Sequence, residues 1–105
     1  MPAFQVTLTL ADTNYNALTL VRAIDSAFVD YARRLTLQSE PTNTAGKVIF
    51  VGHEATANFS ASRFGFKLDP GDPAVFEDPD GRATLAGLIV RSDAAGQKLN
   101  IDIAR

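Results

Sequence analysis

Histidine, carboxylate and arginine side chains carry whatever chemistry this chain can do. His53 is the only histidine, and there is no cysteine. A zinc site would therefore need three carboxylates beside His53, an unusual donor set. Thiolate metal sites, disulfides and thiol nucleophiles fall away with the cysteines. His53 is read as a turn residue. The acidic run Asp69, Asp72, Glu77, Asp78 and Asp80 invites a calcium reading, since hard cations take several oxygen ligands from short loops. Its spacing fails. Aligning Asp78 and Asp80 with the acidic positions before the glycine of a calcium loop puts Phe76 where the first carboxylate belongs. Carboxylates beside proline and glycine are common in solvated turns. Catalytic triads are recognised by geometry rather than by spacing, and no nucleophile elbow, phosphate loop or dinucleotide fingerprint is present. The expectation is a protein that is not an enzyme and holds no metal or cofactor.

Arginine and phenylalanine offer a different chemistry, that of contact between proteins. Arg33 and Arg34, with Arg22, Arg63 and Arg91, can form a basic face for an acidic partner, arginine being enriched at interfaces. Seven phenylalanines in so small a chain exceed what one core readily absorbs. Arg33, Arg34, Phe50, Phe59, Phe64 and Phe66 are the interface candidates.

These residues sit on a succession of short strands. Phe4 to Leu10 alternates apolar and polar residues and reads as a half-buried strand. Ala11 to Asn16 favours a turn and a helix N-cap, followed by one short helix near residues 17–24. Arg33 to Ser39 alternates again, with Leu35 and Leu37 inward on the side of Arg33. After the loop Pro41–Gly46, Val48-Ile49-Phe50-Val51 is apolar on both faces. Such a strand is either central in a sandwich or half-covered by a neighbouring subunit. Gly52-His53-Glu54 is read as a turn. Asn58 to Ala61 is read as a short strand or an irregular segment. Phe64 to Leu68 and Ala74 to Glu77 are further strands, separated by the Asp69-Pro70-Gly71-Asp72 turn. Leu85 to Ser92 and Lys98 to Ile103 flank a glycine-containing loop and read as a closing β-hairpin. Six to eight short strands at these intervals predict a mainly β chain, an antiparallel sandwich or barrel of jelly-roll type, in a single domain over residues 1–105.

Composition narrows the partners. At 105 residues and 46% hydrophobic, the chain can bury a core without cross-links. A formal net charge of −2 with interspersed signs supplies no field for a phosphate backbone, so nucleic acid is not an expected partner. No apolar run approaches the roughly 20 residues that span a bilayer, and the N-terminus does not read as a secretory signal. The chain reads as soluble, with no membrane partner.

Taken in order, Asn14-Tyr15-Asn16, Leu18-Thr19-Leu20, Arg22-Ala23-Ile24-Asp25 and Arg34-Leu35-Thr36-Leu37-Gln38 resemble a family of small virion structural proteins of tailed bacteriophages. The similarity continues through Pro41-Thr42-Asn43-Thr44, Gly46, Val51-Gly52 and Phe64-Gly65. It is closest over Leu88 to Asn100. It covers the chain from about Leu8 onward, in strands and turns rather than catalytic signatures. His53 stands where that family commonly has aspartate, and Asp69 to Arg82 diverges, so no contact in those two loops is carried over.

The resemblance implies a capsid decoration or cement protein that reinforces the lattice of the major capsid protein, or else a head-to-tail or tail component. It implies a trimer or dimer on the surface of the virion, made in the host bacterial cytoplasm. A homo-oligomer would form through the apolar surface of the sheets. Two rivals stand beside it. A glycan- or small-ligand-binding β module needs a pocket with convergent polar groups and stacking aromatics, for which Tyr15 and Tyr31, without tryptophan, are a thin supply. An enzyme on a small barrel needs perturbed titratable groups around a cleft.

Overall fold

A computed structural model describes residues 3–53 and 66–105. The chain runs through β1 (Ala3–Leu8), β2 (Tyr15–Asn16), α1 (Ala17–Arg22), β3 (Arg34–Ser39), β4 (Ile49–His53), β5 (Phe66–Leu68), β6 (Pro73–Glu77), a 3-10 turn at Leu85–Gly87, β7 (Leu88–Ser92) and β8 (Gln97–Ala104). The pairing is nested. β1 pairs with β8, β2 with β7, β3 with β6 and β4 with β5, all antiparallel. Such pairing is that of one long antiparallel ribbon folded at the β4–β5 connection. Two further pairings, β3 with β8 and β4 with β7, roll the ribbon into two layers. The sheets have the orders β1-β8-β3-β6 and β2-β7-β4-β5, which makes the fold an eight-stranded jelly-roll sandwich.

Period-two patterning explains which face of each strand lies inside. Val6 and Leu8 of β1, Leu35 and Leu37 of β3, and Leu99, Ile101 and Ile103 of β8 are buried and meet Ile49, Val51, Leu88 and Val90 of the other layer in one cluster. Each fully buried aliphatic side chain stabilises the fold by about 1.5–3 kcal/mol relative to exposure. Pro73 opens β6 at a sheet edge, where a missing N–H costs no ladder bond. In α1, Asn16 Oδ1 accepts hydrogen bonds from the amides of Leu18 (3.0 Å) and Thr19 (3.3 Å), satisfying two otherwise unpaired donors. Ala17 and Val21 form the helix's buried stripe.

The structure corrects three expectations. Leu85–Ser92 and Lys98–Ile103 are not a hairpin: β7 lies in one sheet and β8 in the other. Both strands turn an apolar row toward the shared core, β8 from between β1 and β3 and β7 from between β2 and β4 of the opposite layer. The connecting residues therefore cross between the layers. Gly96, at φ +76°, donates its amide to the Leu8 carbonyl (2.9 Å), and the Asp12 amide reaches the Ser92 carbonyl (2.7 Å). No side chain would be obstructed at Gly96, so its positive φ is the reason for glycine there. Second, Gly52 and His53 do not turn the chain but extend β4, paired with Ile89 and Leu88. Third, Arg33 precedes β3 and is exposed rather than sharing the inward side of Leu35 and Leu37.

The two-sided apolar run at Val48 is covered largely by the domain's own packing. Ile49 and Val51 enter the core, and Val48 is buried while exchanging hydrogen bonds with Asp93. Only Phe50 remains half-buried.

The alternation of β8 gives a direct test. Ile101→Ala should cost about 2–5 kcal/mol in urea unfolding, as core truncations do, whereas Asp102→Ala, one residue along on the outer face, should change stability by no more than about 0.5 kcal/mol. Equal losses at the two positions would contradict the register.

Candidate docking surface

The segment leading into β3 alternates in an unusual way. Phe28 and Ala32 are buried and Asp30 half-buried, while Val29, Tyr31 and Arg33 face outward. Its inner row is fastened at every point. Phe28 stacks edge-on against Phe4, with ring centroids 5.5 Å apart and planes at 89°. The Phe28 carbonyl accepts from the Arg22 guanidinium. Asp30 accepts from the amides of Leu85 (2.6 Å) and Ala86 (3.0 Å), meeting the open donors of the 3-10 turn. Ala32 bridges to Ala83. With the inner row held, Val29 at 56% and Tyr31 at 46% exposure are displayed on a fixed backbone.

Beside this segment lies a cleft of about 330 Å³ lined by Arg33, Arg34, Glu77, Pro79, Ala104 and Arg105. Strand register builds it, since Arg34 stands between Glu77 of β6 and Ala104 of β8 on the outer face of the sheet. The Arg33 amide donates to the Ala104 carbonyl (2.8 Å), and the Arg33 carbonyl accepts from Asp78 (2.8 Å). Arg105 joins the cleft to the displayed apolar residues. Its guanidinium donates to the Val29 carbonyl (2.7 Å) and lies 4.5 Å from the Tyr31 ring centroid and 5.4 Å from that of Phe28, within cation–π range. Among the described residues the side chains of Arg33 and Arg34 have no hydrogen-bond or ion-pair partner, and the one ion pair joins Arg91 to Asp12 at 3.8 Å.

The interface candidates thus divide. Arg33 and Arg34 come together in the cleft. Phe66 is 42% exposed, but its ring meets Phe76 edge-on (5.5 Å, 89°) where the β5 and β6 edges of the two layers approach. Phe50 lies half-buried between Lys67 and Arg91 in the other sheet, away from Arg33 and Arg34. Phe59 and Phe64 lie outside the described residues, as does the segment Asn58 to Ala61. Val29, Tyr31 and Arg105 were not among the candidates. The signal for Val29 is the period-two pattern over residues 28–33, hidden because Asp30 occupies its inner row. Arg105 is placed only by the pairing of β8 with β3.

The carboxylates do not converge. Asp72 accepts from the Asp69 amide (3.1 Å) and Asp78 from the Asp80 amide (2.9 Å), each stabilising its own turn. Among the described residues no three histidine or carboxylate side chains gather as a metal site, and no helix is long and apolar enough to cross a membrane.

A second cleft, on the outer face of the β1-β8-β3-β6 sheet, is lined by Ala3, Phe4, Gln5, Gln38, Asn100 and Asp102. Most of its amides are already engaged. Gln5 donates to Asn100 (3.0 Å) and Glu40 (3.2 Å), Asn100 donates to Glu40 (2.7 Å), and Gln38 donates to the Gly71 carbonyl (3.1 Å). The Asn100 bond is the main reason the Glu40 carboxyl is held below its ordinary value of 4.5. Thr42 and Gln5 add to the effect against the opposing influence of desolvation. Comparison with models of protein families, with curated proteins and with solved structures finds no match to the chain.

A depressed carboxyl pKa means that Glu40 favours the folded state above the unfolded-state value and loses that contribution as pH falls through the folded one. In an NMR pH titration, Glu40 should ionise below 4.5 in the native chain and move upward in Asn100→Ala. An unchanged midpoint in the variant would show that Asn100 is not the dominant partner.

Proposed function

We propose that this protein is a non-enzymatic structural subunit of a tailed-phage virion, a capsid decoration or cement protein that binds the lattice of the major capsid protein and reinforces it. The observation that carries the reading is the fastened 28–33 segment. It spends Phe28, Asp30 and Ala32 on holding its backbone and displays Val29 and Tyr31 beside three arginines. Tyrosine and arginine are the residue types enriched at protein contacts, and a rigid display loses little entropy on docking.

Two further considerations support it. The jelly roll is an architecture that recurs in viral capsid domains, an argument by analogy of fold. The resemblance to small virion proteins read from the residues of Leu88 to Asn100 and the earlier segments is the other reason for this reading. A trimer or dimer seated at a symmetry axis of the shell is the arrangement we propose, since repetition over a symmetric lattice converts modest contacts into avidity. The glycan-binding alternative is less well supported. The polar groups of the second cleft are largely bonded to one another, and Phe4 at its edge is stacked on Phe28.

Copy number on purified particles, from quantitative protein analysis with imaging, tests the proposal. Hundreds of copies spread over the shell are expected. A dozen or so at one vertex would move the protein to the neck or tail, and absence from particles would overturn the reading.

A further inference from the structure

The cleft formed by Arg33, Arg34 and Arg105 is more specific than a sticky surface. We propose that it seats a carboxylate of a protein partner, an aspartate or glutamate side chain flanked by an apolar residue. The identification of the partner as a virion subunit rests on the preceding proposal, whereas the chemistry of the seat rests on the cleft alone.

Guanidinium groups keep their charge throughout the physiological range and present donors in a planar fork that matches a carboxylate in a bidentate manner. Arg33 and Arg34 are uncommitted within the described chain, so a partner's carboxylate need not displace an internal one. Arg105 is already ordered, by the Val29 carbonyl and the Tyr31 ring. Its charge is thus presented at little further entropic cost.

The surroundings select for a single carboxylate over a polyanion. Glu77 lines the same cleft, Asp78 and Asp80 follow it in the adjoining turn, and the whole chain carries a net −2. A phosphate backbone or polyphosphate would meet these charges after the first contact. The cleft's volume of about 330 Å³ lies at the small end of the roughly 300–1,000 Å³ typical of ligand pockets, which suits a side chain or two. Pro79 and Ala104 line its apolar part, and exposed Val29 and Tyr31 adjoin Arg105. An aliphatic neighbour of the incoming carboxylate would pack there.

The test uses the full chain, labelled with nitrogen-15, and follows arginine Nε and backbone amide signals by NMR. The probes are the peptide acetyl-Leu-Glu-Leu-amide, its glutamine counterpart and inorganic phosphate. Saturable shifts at residues 33, 34, 104 and 105 are expected with the glutamate peptide, with binding about fivefold weaker or worse for the other two probes. Arg34→Glu should abolish the response, with Arg34→Gln as the milder variant if the first folds poorly. Lys67→Glu, the same charge change on the other sheet, should leave it intact. No saturable shift, equal response to glutamate and glutamine, tighter binding of phosphate, or equal loss in Lys67→Glu would each overturn the proposal. A chain absent from particles that still binds the glutamate peptide would refute the virion reading and leave the seat standing. A particle-bound chain with a silent cleft would do the reverse.

Discussion

Strand β8 lies inside one sheet, paired with β1 on one side and with β3 on the other, and buries Leu99, Ile101 and Ile103 along a single face. Placing the last strand between the first and the third can be done only by rolling the ribbon, and the roll in turn sets the second layer, with β7 between β2 and β4. Closing so many distant pairings costs loop entropy before the contacts repay it. The continuous apolar row of β8 supplies much of that repayment.

The same pairing creates the candidate docking surface. Because β3 and β8 are antiparallel, β3 begins where β8 ends, so Arg33 and Arg34 fall beside Ala104 and Arg105. β6 then brings Glu77 to the other side of Arg34. Arg105, about seventy residues further along the chain, becomes a neighbour of the adjacent Arg33 and Arg34 through register alone. The approach to β3 does the rest, for its inner residues lock into Phe4, the 3-10 turn and Ala83 and leave Val29 and Tyr31 outside. The fold thus offers function a fixed surface at one end of a sandwich.

Much of this was readable from the residues in order. The alternation of Phe4 to Leu8, of Leu35 and Leu37 and of Leu99 to Ile103 identifies strands and their inner faces, and Asn16 announces the helix start, because each is a local pattern. The two-sheet destination of β7 and β8 was not readable. A glycine-containing loop between two alternating strands fits both a hairpin and a crossing between layers, and only the competition for places beside β1 and β3 decides between them. Gly52-His53 misled for a similar reason: a glycine reads as a turn until its partner in the ladder, Ile89, is known. Of the docking surface, adjacent Arg33 and Arg34 were visible as candidates, whereas Arg105 depends on long-range register and Val29 on a pattern interrupted by Asp30.

If the protein is the virion subunit we propose, the end of the sandwich bearing Arg33, Arg34, Arg105, Val29 and Tyr31 is the face through which it meets its partner. Imaging of the assembled particle at side-chain resolution tests that most directly. The account predicts that this end is covered by a neighbouring subunit, with a carboxylate within hydrogen-bond distance of Arg33 or Arg34. A map in which this end faces solvent while another surface makes the contacts would contradict it.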